Sequence, residues 1–378
     1  MKILAIETSC DDTGIAIIEV LKTGSFNVLS NIVASQIEVH QKYGGVYPMM
    51  AKREHQKNMM PTFITSLKEA GLLKDKKNKA KIKDEKLKTI LEREPELYKK
   101  LISFLNKYEK PEVDFISVTN GPGLEPCLWV GVNFARAISY FWDIPVVPVN
   151  HIEGHILVNY LNKKEIKLPA ISLVVSGGHT QIILMEKVGK YKVLGETRDD
   201  AAGECFDKCA KILGLEYPGG PVVSKLAENS FAGKITLPRP MINTKDYDFS
   251  FSGLKTAVLY YNQKQNKTTQ KSKEYIADMC AEIQQSIVDV LIKKTMQAVK
   301  DFDAKTVILG GGVSANHELK TQLFIKIKEE MLETELLFPE IDHSTDNGLM
   351  IAIAGYFNQK KTASWKNISA DGNLRIDD

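Results

Sequence analysis

Two histidines four residues apart are the clearest candidates for chemistry in this chain. His151 and His155 begin and end the segment His-Ile-Glu-Gly-His, and a helix would place both imidazoles on one face. Such a pair is typical of metal ligands. The zinc-protease pattern requires a glutamate directly after the first histidine, but Ile152 stands there and Glu153 would point to another helix face. The pair therefore predicts a metal site and argues against protease chemistry.

A third metal ligand has to come from elsewhere in the chain. Asp346 precedes an apolar segment at 349–355 that is typical of a helix. Thr345 or Asp346 could simply cap that helix. Alternatively, Asp346 completes a set of two histidines and one carboxylate, which leaves coordination positions open for a substrate. This set suits several divalent ions and does not choose among them.

Two glycine-rich turns are candidates for binding an anion. In Ser-Gly-Gly-His-Thr at 176–180, glycine lets a ligand approach the backbone, and exposed N–H groups in such a turn can bind phosphate. Alone, this segment could be an ordinary hairpin turn. A second turn at 310–312 leads into a helix. The pair predicts a nucleotide site, in which Asn316 could bond a ribose or a base edge.

The apolar segments predict the elements that position these residues. Two three-stranded meanders, each followed by helices and further strands, have their strands at 3–7, 14–20 and 28–35 and at 171–175, 180–186 and 191–194. The same topology twice indicates two similar α/β lobes, at 1–168 and 169–378, with a ligand cleft between them. The 378 residues also suit two domains.

The net charge of +3 is concentrated in one segment. Residues 74–110 contain 13 Lys or Arg against 7 Asp or Glu, and Pro95 divides them into two short helices. The segment is interpreted as a charged helical insertion with a solvated face, or as an arm that binds RNA.

Composition indicates a cytoplasmic protein. There is no secretory signal and no apolar run long enough to cross a bilayer. The five cysteines are odd in number and scattered, as in a reducing compartment. Cys205 and Cys209 could hold a metal, but no second pair exists to complete a zinc site, and buried thiols are the simpler interpretation.

Together these residues resemble the TsaD family of glycoprotease-like proteins, of the bacterial type. The resemblance extends almost from end to end of the chain. Its ordered blocks lie at 6–13, 120–124, 151–155, 175–180, 199–204, 206–208, 217–221, 249–255, 311–316 and 345–348.

The resemblance implies the actin-like, sugar-kinase and heat-shock-ATPase (ASKHA) fold, with the final helix packing back on the first lobe. It implies transfer of a threonylcarbamoyl group from threonylcarbamoyl-AMP to the exocyclic amine of adenosine 37 in tRNA. By the same analogy, the partners are a TsaB-like paralogue that lacks the metal site and a small TsaE-like ATPase.

The resemblance also implies residue roles. One Fe(II) or Zn(II) per subunit would be held by His151, His155 and Asp346. The adenylate would be bound by Val174, Val175, Ser176, Gly177, Gly178, Asp207, Gly220 and Asn316. Asp11 or Asp12 could act as the base that accepts the amine proton, because the expected fold places both near the cleft.

Two other classes of protein remain as alternatives. A kinase or chaperone-like ATPase of the same fold would use the glycine turns but has no need of His151 and His155. A zinc endopeptidase would use the histidines but leaves the nucleotide turns without a role.

Overall fold

The computed structural model of the chain describes residues 1–77, 82–163 and 165–378. The helices and strands of the first half are β1 (Lys2–Glu7), β2 (Asp12–Val20), β3 (Phe26–Ser35), α1 (Ile37–Gln41), α2 (Pro48–Glu69), α3 (Glu85–Ile90), α4 (Pro95–Lys107), β4 (Phe115–Gly121), α5 (Glu125–Trp142), β5 (Val146–Asn150) and α6 (His151–Leu157). They build one five-stranded sheet in the order β3-β2-β1-β4-β5. The first three strands form an antiparallel meander, and β4 and β5 continue the sheet parallel to β1.

The second half repeats this topology. Its elements are β6 (Ala170–Val175), β7 (Thr180–Lys187), β8 (Lys190–Glu196), α7 (Ala202–Ile212), α8 (Gly219–Ala227), α9 (Ser252–Gln263), α10 (Lys267–Gln270), α11 (Lys273–Asp301), β9 (Thr306–Gly310), α12 (His317–Glu330), β10 (Glu335–Leu337) and α13 (Gly348–Phe357). The sheet order is β8-β7-β6-β9-β10, again a meander followed by two parallel strands. The strands and helices that the apolar pattern predicts are present, with ends shifted by a few residues.

Helices α6 and α13 lie between the two sheets. A continuous apolar core joins residues of β1 and β2 to residues of β6, β7 and β9 through these helices. Although α13 belongs to the second half of the chain, it packs on β1, β2 and β4. The approach is close, because a Cβ added to Gly348 would lie 2.4 Å from the backbone nitrogen of Ala16. The N-terminal ends of α6 and α13 are therefore held at fixed positions near each other.

The segment at 74–110 is more than a solvated excursion. Pro95 begins α4, as the sequence predicts. One face of the segment is buried in the core of the first lobe, where Phe104 packs against Phe63 with ring centroids 5.3 Å apart. The other buried apolar residues of this face are Leu87, Ile90, Leu91, Leu97, Leu101 and Leu105. The expectation of a solvated charged face holds for the opposite side only, since Lys88, Lys99 and Lys107 are exposed.

No helix within the described parts of the chain combines the length and the apolar character that crossing a membrane requires.

Candidate active site

The two histidines lie on α6, which begins directly after β5. Asn150 caps this helix, and its Oδ1 accepts hydrogen bonds from the backbone nitrogens of Ile152 and Glu153 at 2.9 and 3.3 Å. His151 and His155 are both buried and lie one helical turn apart, with ring centroids separated by 4.7 Å. The predicted juxtaposition of two imidazoles on one helix face is therefore present.

Asp346 reaches the same point from the turn before α13. The residue that caps α13 is Asn347, because its Oδ1 accepts a hydrogen bond from the backbone nitrogen of Met350 at 3.2 Å. The carboxylate of Asp346 is left to face the histidines, with Oδ1 3.6 Å from Nε2 of His151 and 3.2 Å from Nε2 of His155. Three potential ligand atoms, one from each side chain, lie within 4.8 Å of one another.

The donor set fits a divalent cation. Nε2 of His155 is buried and has no hydrogen-bond partner among the described residues, although an Asp346 oxygen lies 3.2 Å away. An unsatisfied buried nitrogen that faces a carboxylate is what a metal ligand looks like without its ion. Two imidazoles and one carboxylate are ligands that Fe(II) and Zn(II) accept.

Glu7 orients the first histidine. Its Oε2 lies 3.2 Å from Nδ1 of His151 and accepts from Oγ1 of Thr119 at 2.5 Å, while Oε1 accepts from the backbone nitrogen of Ser9 at 2.5 Å. A proton on Nδ1 leaves Nε2 of His151 free to face Asp346. The sequence analysis missed Glu7. The available signal was a carboxylate directly after the apolar run at 3–6.

The charges of His151, His155 and Asp346, called the triad below, act on one another and on their neighbours. Burial opposes a charge on His151, but the carboxylates of Asp346 and Glu7 outweigh it and raise the pKa of His151 to about 9. Burial also opposes ionisation of Asp346, yet the neighbouring imidazoles hold its pKa well below the usual range. A third imidazole, that of His179, has its centroid 6.1 Å from His151. Burial and the two neighbouring histidines lower the pKa of His179 to about 4, so this ring is neutral.

Asp11 ends the turn between β1 and β2, Asp12 is the first residue of β2, and the charge of Asp346 acts on both. Burial raises the pKa of Asp11, and Asp346 raises it further. Burial, together with Asp11 and Asp346, raises the pKa of Asp12 to about 7. Oδ1 of Asp12 is buried and makes no hydrogen bond to any described residue. Both aspartates therefore lie close enough to Asp346 for its charge to raise their pKa values.

The glycine turn that follows β6 is open on its outer side. A Cβ placed on Gly177 or Gly178 would meet no atom within 4 Å. Oγ of Ser176 accepts from the backbone nitrogens of Gly178 and His179 at 3.3 and 3.0 Å, so these two N–H groups are engaged within the turn. Val174 and Val175 are buried core residues that hold the turn in place.

Asp207 and Gly220 lie where α7 meets α8. Oδ1 of Asp207 accepts from the backbone nitrogen of Gly219 at 2.6 Å. Burial raises the pKa of Asp207 to about 6, and the charge of Asp11 acts in the same direction. Asp207 and Asp11 therefore belong to one electrostatic environment, although they come from different lobes. A Cβ on Gly220 would only touch Cβ of Phe206 at 4.0 Å, which leaves this glycine open as well.

Asn316 has a structural role that the sequence pattern did not predict. It caps α12, because its Oδ1 accepts from the backbone nitrogen of Leu319 at 2.9 Å. Its Nδ2 donates to Oγ of Ser224 and to Oε1 of Gln284, both at 2.8 Å. Both amide hydrogens are used, so Asn316 ties α12 to α8 and α11. A ligand could bond this amide nitrogen only by displacing one of these partners.

Two other sequence interpretations can be compared with the structure. Glu153 points away from the histidines, and its carboxylate accepts from the Tyr191 hydroxyl at 2.9 Å and from Nδ2 of Asn358 at 2.6 Å. It cannot address an ion held by the triad. Cys205 and Cys209 are buried thiols with sulfur atoms 3.9 Å apart, as the simpler interpretation predicts.

The repeated sheets define the class of protein. Two α/β lobes of identical topology, packed through α6 and α13, with candidate site residues at the strand ends, form the actin-like, sugar-kinase and heat-shock-ATPase fold. A crystal structure of full-length HypF in the phosphate- and nucleotide-bound form matches with a TM-score of 0.54 and 11% identity. The match covers 96% of this chain and 56% of that chain. This likeness concerns the fold alone.

Sequence comparison identifies the family. The model of the TsaD family, described as tRNA N6-adenosine threonylcarbamoyltransferase, matches residues 27–78 and 91–353, and the chain belongs to this family. A protein of that name from Thermosipho africanus is 41% identical over 377 residues, which is 100% of both chains. Another from Syntrophomonas wolfei is 40% identical over 356 residues, or 94% of this chain and 92% of the relative. Within the predicted insertion, only 79–90 lies outside the family model.

Proposed function

We propose that the protein transfers a threonylcarbamoyl group from threonylcarbamoyl-AMP to the exocyclic amine of adenosine 37 in tRNA. The observation that carries this proposal is the meeting of His151, His155 and Asp346 in the cleft of a TsaD-family chain. Curated relatives that match over their full length bear the name of this transferase.

The triad would hold one Fe(II) or Zn(II) per subunit. When bound, such an ion supplies Lewis-acid chemistry that polarises a carbonyl oxygen. Glu7 supports this role, because it fixes the orientation of His151 before any ligand arrives. The neutral ring of His179 lies beside the triad and adds no further positive charge there.

The adenylate would bind between the two open glycine surfaces. Gly177 and Gly178 on one side and Gly220 on the other present backbone without an obstructing side chain. Both surfaces belong to the second lobe, and the charge of Asp11 from the first lobe acts on Asp207, which is bonded to Gly219 beside Gly220. An adenylate held in this way would have its leaving group fixed relative to the groups of the first lobe.

The aspartates supply a proton acceptor. In the transfer, a bond forms between the adenosine N6 and the carbamoyl carbon, and the bond from that carbon to the phosphate oxygen of AMP breaks. One proton must leave the amine. A pKa of about 7 makes Asp12 a suitable base, because it is partly ionised at neutral pH and still basic. Asp11 beside it helps to keep that pKa high.

The remaining partners follow from the family. The acceptor is tRNA, and the proposed accessory proteins are a TsaB-like paralogue without the metal site and a TsaE-like ATPase. We assign the protein to the cytoplasm, and its five free cysteines support a reducing compartment.

A second candidate function has less support. A kinase or chaperone-like ATPase of this fold would have no use for the buried triad. A zinc endopeptidase of the pattern considered above would need the glutamate of this helix to address the ion, but Glu153 is bonded to Tyr191 and Asn358. ATP turnover or casein cleavage by the isolated protein at an appreciable rate would revive the corresponding alternative.

Nucleoside analysis of tRNA tests the proposed function. Unmodified tRNA is incubated with the protein, threonylcarbamoyl-AMP and, where needed, the two accessory proteins, and the modified adenosine is quantified. We expect modification by the wild type and by His317→Ala, whose histidine is exposed on α12. His151→Ala should give none. Absence of modified adenosine with the wild type under all these conditions would refute the proposal.

A further inference from the structure

His55 connects α2 to the residues directly before and after Asp11 and Asp12. The side chain is fully buried. Its Nε2 lies 3.0 Å from the backbone oxygen of Cys10, and its Nδ1 lies 2.8 Å from Oγ1 of Thr13. A carbonyl oxygen can only accept, so Nε2 carries the proton. The hydroxyl of Thr13 then donates to Nδ1.

These two bonds bracket Asp11 and Asp12 in the sequence. One rigid ring thus holds the backbone oxygen just before the pair and the side-chain hydroxyl just after it. Burial lowers the pKa of His55 to about 4, so the ring is neutral near pH 7 and retains the one-donor, one-acceptor pattern that both bonds need.

The direction of the Asp12 carboxylate depends on this backbone. Its Oδ1 is buried without a hydrogen-bond partner in the part of the chain that is described. Ser35 of β3 supports the carboxylate by a hydrogen bond, and the main chain beneath Asp12 sets the rest of its direction. A displacement of about 1 Å at a reacting group costs up to roughly 100-fold in rate.

We propose that His55 is a positioning residue for the transfer reaction, which holds the turn between Cys10 and Thr13 so that Asp11 and Asp12 face the incoming adenosine amine. This inference rests on the proposed function, because it assumes that an aspartate of the turn accepts the amine proton. Among the described residues, the hydrogen bonds of the His55 ring go to Cys10 and Thr13 and not to the metal ligands or the glycine turns.

Three substitutions test the inference. His55→Ala removes both bonds, His55→Gln keeps an N–H donor for the Cys10 carbonyl, and Thr13→Val removes the hydroxyl with little change of shape. Ser66→Ala is the matched control. It breaks the 2.7 Å bond between Oγ of Ser66 and Oγ of Ser30, which also joins α2 to the first sheet but lies away from the turn.

The measurements are the single-turnover rate, the KM for threonylcarbamoyl-AMP, the metal content and the melting temperature. We expect His55→Ala and Thr13→Val to lose rate by about 10- to 100-fold. KM and metal content should stay within about twofold, and His55→Gln should recover part of the rate. Ser66→Ala should lower the melting temperature and keep the wild-type rate.

The rates of the His55, Thr13 and aspartate variants separate the positioning role of His55 from the proposed proton acceptor. Full single-turnover rates in folded His55→Ala and Thr13→Val, with only their melting temperatures lowered as in Ser66→Ala, would overturn the positioning role. Asp11→Asn and Asp12→Asn are measured alongside. If both keep the full rate, the proposed proton acceptor is wrong, and the role of His55 falls with it. If either loses activity while the His55 variants do not, only the inference about His55 fails.

Discussion

Oε2 of Glu7 lies 3.2 Å from Nδ1 of His151 and is held there by the hydroxyl of Thr119 at 2.5 Å. The carboxylate therefore links the end of β1 to β4 and to the first residue of α6. It accepts three hydrogen bonds, the third from the backbone nitrogen of Ser9. This arrangement sets the tautomer of His151 and aims Nε2 at Asp346.

Glu7→Gln should weaken metal binding. A glutamine has one acceptor oxygen and turns an NH2 group towards at least one of the three donors, so the bond to His151 or a bond that supports it is lost. We expect the dissociation constant for Zn(II) or Fe(II) to rise by about 10- to 100-fold. Chelator competition measures it, with Glu153→Gln as a control because Glu153 does not contact the triad. Equal affinity in the Glu7 variant and the wild type would contradict the orienting role.

The sequence predicted part of this site for identifiable reasons. His151 and His155 are four residues apart, and that spacing fixes their relation within any helix. Glu7 is separated from His151 by 144 positions, and only the folded sheet brings them together. The bonds of Asn316 to Ser224 and Gln284 likewise depend on how three helices pack. Local patterns therefore predict ligand pairs and strands, whereas the residues that orient them need tertiary structure.

Gly178→Ala should separate ligand binding from stability. The added methyl group meets nothing in the chain, so the free energy of unfolding should change by less than about 1 kcal/mol. The same methyl would occupy the surface proposed for the adenylate, and affinity for AMP should fall about tenfold, or about 1.4 kcal/mol. Calorimetry with AMP measures the affinity, and thermal unfolding measures the stability.

Gly195→Ala is the control for that substitution. A Cβ there would lie 2.3 Å from the backbone carbonyl carbon of Tyr247, so the protein should lose about 1–3 kcal/mol of stability. Unchanged AMP affinity in Gly178→Ala would mean that the open turn is not the adenylate site.

Asp207→Asn should stabilise the protein at neutral pH. Burial raises the folded-state pKa of Asp207 to about 6, above its value in the unfolded chain. The folded state then binds more protons between about pH 4 and pH 6, so the wild type loses stability as pH rises through that window. Asparagine keeps the oxygen that accepts from Gly219 and has no such loss. We expect the variant to be more stable by about 3 kcal/mol at pH 7 and above, with little difference near pH 4.

Asp199→Asn should instead lower the stability of the protein at neutral pH. Burial opposes ionisation of Asp199, but hydrogen bonds from Ser250 and Ser252 prevail and lower its pKa. Its stabilisation is present above the unfolded pKa and is lost as pH falls, so the variant should be less stable at neutral pH.

Chemical denaturation at several pH values measures the stability of both the Asp199→Asn and the Asp207→Asn variants. A stability difference for Asp207→Asn that is flat from pH 4 to pH 8 would exclude the burial of an ionisable carboxyl at this position.

The charged segment at 74–110 cannot be tested for an RNA role by deletion. Removal of α4 would take Leu97, Leu101 and Phe104 out of the core that they share with Phe63 and Trp142. Each such loss costs about 2–5 kcal/mol, and several together exceed the stability of a typical domain. A variant in which a short linker joins Leu73 to Pro111 in place of the segment should therefore be unfolded, and its tRNA binding would not report on the segment.

Exposed lysines of the segment give a cleaner experiment. Lys88 and Lys99 lie on the solvated side and pair locally with Glu85 and Glu96, at 3.7 and 2.6 Å. Each lysine that contacts a tRNA phosphate contributes about one unit to the slope of log affinity against log salt. Because both charges already have partners on their own helices, we expect Lys88→Gln combined with Lys99→Gln to leave that slope unchanged. Titration of tRNA at several salt concentrations measures the slope. A slope reduced by about two units in the double variant would establish the segment as part of the RNA-binding surface, and not only a solvated helix pair.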